Sequence, residues 1–104
     1  MVREEITRPY VKIVISKKPE NDFVLVWFKN LLWNKIKTVR FSFSLISYVL
    51  NNFNETYSMS LPEQKIEFIS YGISDFVILR IEEVEKNFDF SLSKDDLLQI
   101  LKMF

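Results

Sequence analysis

His and Cys, the residue types behind much side-chain catalysis, are both missing from the 104 residues. Their absence excludes Ser-His-Asp triads, thiol nucleophiles, disulfides and Cys/His zinc sites. One glycine, Gly72, leaves no glycine-rich phosphate loop. The acidic chemistry that remains is two adjacent carboxylate pairs, Glu82-Glu83 and Asp95-Asp96. On a strand the first pair projects to opposite faces, and the second suits the first turn of a helix. No spacing supports an oxygen-ligand Mg²⁺ site or hydrolysis by paired carboxylates. A non-enzymatic protein without metal or cofactor is therefore expected.

Binding chemistry is better represented. Trp27, Lys29, Leu31, Leu32, Trp33, Lys35, Lys37 and Arg40 place both tryptophans among cations within one stretch. Aromatic and aliphatic anchors with a charged rim fit a protein or peptide partner. The same interleaving can stack bases and contact the phosphates of single-stranded nucleic acid. The stretch reads as the tip of a long hairpin, and exposing Leu31, Leu32 and Trp33 there forfeits roughly 1.5–3 kcal/mol per large side chain. A cover is expected, either the protein's own second half, a partner chain or another subunit. Residues 82–87 in the second half are polar, as a solvent-facing turn should be.

Charge divides the chain. Residues 1–50 hold nine Lys/Arg and four Asp/Glu, net +5, and residues 51–104 hold five and ten, net −5. Such bipolarity orients one half against the other or against an external polyanion more than it stabilises the fold.

The elements that must carry these residues recur. Shifting the chain by 53 positions superposes Pro9 on Pro62, Lys12 on Lys65, Ile13 on Ile66, and Asp22-Phe23-Val24 on Asp75-Phe76-Val77, six identities in sixteen columns. Phe41-Ser42-Phe43-Ser44-Leu45 matches Phe88-Asp89-Phe90-Ser91-Leu92 at an offset of 47, which assigns six extra residues to the first unit. In each unit, Ile-, Val- and Phe-rich stretches predict strands over 10–16, 22–29 and 37–43, and over 65–71, 75–83 and 87–90. Turns are expected at 17–21, which contains Pro19, and at Gly72-Ile73-Ser74. Ile46, Val49, Leu50 and Phe53, like Leu97, Ile100, Leu101 and Phe104, fall at i, i+3, i+4 and i+7, the stripe of an amphipathic helix. Ser93 suits the second N-cap, with Asp95 and Asp96 in the first turn and Lys102 in the last. Ser44, or Ser47, is the expected first cap. Tyr57, Met59 and Leu61 alternate as a short strand before Pro62, and Ile6 maps where Met59 falls.

The expected fold is α+β, one compact domain (1–104) of two tandem β-β-β-α units. They cover about 9–53 and 62–104, each an antiparallel sheet closed by a C-terminal helix. Leu, Ile, Val and Phe supply 41 positions, enough for a core. No apolar run is long enough to span a bilayer, and the N-terminus reads as no secretory signal, so an intracellular, membrane-free setting is expected. Asn54-Glu55-Thr56 fits a glycosylation sequon that has no use without export.

The layout, with its repeated Pro-x-x-Lys-Ile, Asp-Phe-Val and Phe-x-Phe-Ser-Leu blocks, resembles small orphan proteins of filamentous viruses of hyperthermophilic archaea. That resemblance implies a non-enzymatic viral protein located in the host cytoplasm. At the level of fold, the Phe-x-Phe-Ser-Leu blocks leading into helices also look like the sheet-to-helix junction of the Whirly and PUR group, which binds single-stranded nucleic acid on a curved sheet. That group has four strands per unit where three are counted here. The expected function is a binding module that takes a protein or peptide segment in a groove, or at sheet edges, between two pseudo-equivalent units. The alternatives are single-stranded nucleic-acid binding through the basic aromatic first half, and a structural homo-oligomer.

Overall fold

The computed structural model describes residues 2–17, 22–32, 34–60, 64–72 and 75–104. The chain runs β1 (Val2–Thr7), β2 (Val11–Lys17), β3 (Phe23–Asn30), β4 (Lys35–Ser42), α1 (Phe43–Asn51), β5 (Tyr57–Ser60), β6 (Lys65–Ser70), β7 (Phe76–Glu83), β8 (Lys86–Ser93) and α2 (Lys94–Lys102). These strands form two antiparallel sheets of four, ordered β1-β2-β3-β4 and β5-β6-β7-β8, in a mostly β member of the α+β class. Each sheet thus has four strands where the sequence pattern counted three. The fourth is the short preceding strand that Ile6 and Met59 mark. They pair with Ile13 and Ile66 at equivalent points of the two ladders.

Strand alternation decides which side chains reach the core. Val24, Val26 and Phe28 of β3 are buried while their neighbours are not, and Val77, Leu79 and Ile81 of β7 repeat the pattern. The inner faces of both sheets and the stripes of both helices form one hydrophobic core. Phe28 stacks on Phe90 across it at 5.0 Å between ring centroids, and Phe41 meets Phe68 at 5.9 Å. The helices pack on each other and on the strands that precede them.

Sequence expectation and structure part at the sheet-to-helix junction. The first N-cap is Ser42, whose Oγ accepts from the Leu45 N–H at 3.2 Å, and not Ser44 or Ser47. Ser42 therefore corresponds in role to Ser93, at the same 51-residue offset that aligns the stripe Ile46, Val49, Leu50 and Phe53 with Leu97, Ile100, Leu101 and Phe104. The Phe-x-Phe-Ser-Leu identity at offset 47 is not the structural register. Consequently β3 and β4 are no longer than β7 and β8. Residues 31–34 connect the first pair and residues 84–85 the second, so the first hairpin has two extra residues, not six. The second helix follows its sequence signals: Ser93 caps it in a capping box with Asp96, and Asp95 and Lys102 lie in its first and last turns.

Arg8 in the β1–β2 turn pairs with the nearly fully buried Asp96 and ties the first sheet to the start of α2. The expected turn residues 18–21, 73 and 74, with Leu61, Pro62 and Trp33, lie outside the described residues.

Candidate functional site

The antiparallel register lays out the outer face of the first sheet in rows across four strands. Thr7, Lys12, Lys29 and Ile36 form one row, Glu5, Val14, Trp27 and Thr38 the next, and Arg3, Ser16, Leu25 and Arg40 the third. Four cations and one carboxylate share this face. Val14, Trp27 and Ile36, together with Arg3, Lys12, Lys29 and Ser16, line an open depression of about 330 Å³ to which neither helix contributes.

Its electrostatics run against stability. Lys12 and Lys29 are direct cross-strand partners, an arrangement of like charges that destabilises a sheet. Glu5 offsets part of this, with one oxygen 3.4 Å from Lys12 Nζ and the other 2.8 Å from Arg3 Nη2. The Lys12 charge, helped by hydrogen bonds from Lys12 and Arg3, holds the Glu5 carboxyl below its usual range. Arg40 lies 4.5 Å from the centroid of the Phe23 ring, a cation–π contact on the same face.

At the matching positions the second sheet is neutralised internally. Lys65, Glu82 and Asn87 stand where Lys12, Lys29 and Ile36 stand, and Glu67, Arg80 and Asp89 stand where Val14, Trp27 and Thr38 stand. Lys65 pairs with Glu82 at 3.7 Å. Arg80 donates from Nε and Nη2 to the two oxygens of Asp89 at 2.9 and 3.1 Å. That carboxylate raises the Arg80 pKa above its ordinary value, chiefly by hydrogen bonding. Cross-strand opposites of this kind stabilise a sheet, and no aromatic ring stands among these six positions.

The residues singled out in the sequence do not form one cluster. Trp27, Lys29 and Arg40 share the outer face of the first sheet. Lys37 has the other parity and turns away, with Nζ 2.9 Å from Glu83 and 4.0 Å from the Phe88 ring centroid, joining the two sheets. Lys35 lines a separate cleft of about 350 Å³ at the sheet junction with Asn30, Asn87, Phe88, Asp89 and Phe90. Leu31 and Leu32 sit in the β3–β4 connection, 43% and 67% exposed beside the 61% exposed Tyr10, so no cover for them lies within the described residues. Trp33 lies outside the described residues.

Sequence reasoning missed Arg3, Lys12, Val14 and Ile36. Their alternation with inward residues on β1, β2 and β4 was the available signal, but only pairing register assembles them around Trp27.

The carboxylate pairs are engaged structurally. Glu82 and Glu83 meet Lys65 and Lys37 on opposite faces of β7, while Asp96 accepts from the Ser93 N–H and from Arg8. Among the described residues no group of acidic side chains is arranged to hold a metal ion, and no helix is long and apolar enough to cross a membrane. No protein-family model, curated protein or solved structure matches the chain.

Proposed function

We propose that the protein binds single-stranded nucleic acid on the open outer face of its first sheet. The carrying observation is Lys12 set directly opposite Lys29 beside Trp27, in a largely apolar depression that Arg3 also lines. Like charges kept opposed on a sheet are relieved by a bound polyanion. A polyanion that also carries planar bases gains from an aromatic ring among those charges. Four strands before each helix remove the difference in strand count from the Whirly and PUR group, and that resemblance, read from the sequence, supports the reading without supplying it.

Descent of the two halves from one doubled unit supports the same reading. The first face carries four cations against one carboxylate, where the second pairs its cations with acids across the strands. The Asp-Phe-Val segments that open β3 and β7, with Val24 and Val77 both buried, favour such an origin.

A protein or peptide partner is the second reading. It is favoured by the exposed Leu31, Leu32 and Tyr10 and by the cleft at the sheet junction. Fluorescence separates the two. In a W33F variant, Trp27 is the only tryptophan, and titration with oligothymidylate is expected to quench it, with log affinity falling linearly in log salt. Three or four phosphate contacts give a slope of about −2 to −3 on a single strand. Quenching absent at low salt, or insensitive to salt, rejects nucleic acid and leaves the protein partner.

A further inference from the structure

We propose that Arg3 and Lys12 form a phosphate subsite at the β1 edge of this face, occupied in the free protein by the carboxylate of Glu5, which an incoming phosphodiester displaces. The proposal rests on the nucleic-acid reading above and names where one phosphate sits.

Each Glu5 oxygen meets a different cation on a different strand, at 2.8 Å from Arg3 Nη2 and 3.4 Å from Lys12 Nζ. A phosphodiester presents two non-bridging oxygens that can take those two positions. The occupant is held loosely, because the side chains of Arg3, Glu5 and Lys12 are 61%, 41% and 39% exposed, and exposed ion pairs bind weakly. Glu5 is also the cross-strand partner of Val14, which in turn partners Trp27. A phosphate bound in place of Glu5 therefore leaves its base next to the apolar wall of the depression. The second sheet has no such arrangement, since Ser58 stands in the position of Glu5.

The charged groups facing Glu5 are Arg3 on its own strand and Lys12 on β2, with Lys29 of β3 opposite Lys12. Because these cations keep Glu5 ionised below its ordinary range, it holds the subsite at neutral pH and lets go as acidification protonates it.

The test is fluorescence anisotropy of labelled oligothymidylate against wild type, Glu5→Gln, Glu5→Gln/Lys12→Ala and Lys29→Ala, over a salt series at pH 7. Glu5→Gln is expected to bind several-fold tighter at the same salt slope, since the phosphodiester meets the same two cations with no carboxylate to displace. Lys12→Ala in that background should cancel the gain and make the slope shallower by about 0.7, the decrement for one phosphate lost from a single strand. If Glu5→Gln binds within twofold of wild type while Lys29→Ala weakens binding, the subsite is wrong and the docking face stands. Wild type and Glu5→Gln both failing to bind, or Lys29→Ala binding as wild type does, overturns the docking face and the subsite with it.

Discussion

Lys29→Glu should move stability and binding in opposite directions. The substitution gives the first sheet the Lys–Glu opposition that the second already has in Lys65 and Glu82, which pair at 3.7 Å. Cross-strand charge pairs contribute roughly 0.2–1 kcal/mol, and relief of the like-charge opposition adds a similar amount. Lys12 is already partly neutralised by Glu5 at 3.4 Å, which keeps the net gain to about 0.5–1 kcal/mol. For a domain of this size that raises Tm by roughly 2–8 °C. The gain should fade toward 1 M salt, where the screening length is only about 3 Å. Oligothymidylate affinity should fall over the same series, with the salt slope shallower by about 0.7 for one lost phosphate contact. Thermal unfolding followed by circular dichroism, alongside anisotropy titration, reads both, and Lys29→Gln separates loss of charge from its reversal. A Lys29→Glu protein that melts lower than wild type while binding equally well refutes the idea that this face gives up stability to hold an anion.

Other consequences concern the framework. Asp96→Ala removes the N3 half of the α2 capping box and the partner of Arg8 from a site that is 1% exposed. It should cost about 2–4 kcal/mol in urea unfolding, from the lost cap together with charge-assisted hydrogen bonds. Arg8→Ala should cost less, because Arg8 is 41% exposed and its removal leaves the capping box in place. Glu85 holds φ +66 in the β7–β8 turn, where a side chain crowds the backbone, so Glu85→Gly should stabilise by about 0.5–1 kcal/mol. Equal or lower Tm for that variant contradicts a strained turn.

What the sequence revealed depended on whether a signal was local. The buried alternation of β3 and β7 lies within eight residues each, and the α2 cap, acidic turn and basic end follow one another directly. Both were legible. Strand β1 was hidden because Arg3, Glu4 and Glu5 make an edge strand look like a charged tail, although Ile6 pointed to it. The first helix cap was misread because residue identity favoured Phe41 over Phe88, whereas the fold aligns Ser42 with Ser93 by role. At the site, Trp27, Lys29 and Arg40 were found since they share one stretch and one parity. Lys35 and Lys37 were grouped with them by proximity, but a two-residue period puts these on the opposite face. Arg3 and Lys12 come from other strands, and only the ladder brings them to Trp27.

Amide chemical-shift mapping of the ¹⁵N-labelled protein with oligothymidylate tests the docking face most directly. Shifts should concentrate on β1–β4 and include the Trp27 indole N–H, while β5–β8 stay unmoved. Shifts confined to β5–β8 or to the Leu31–Leu32 connection, or none at millimolar oligonucleotide, contradict it.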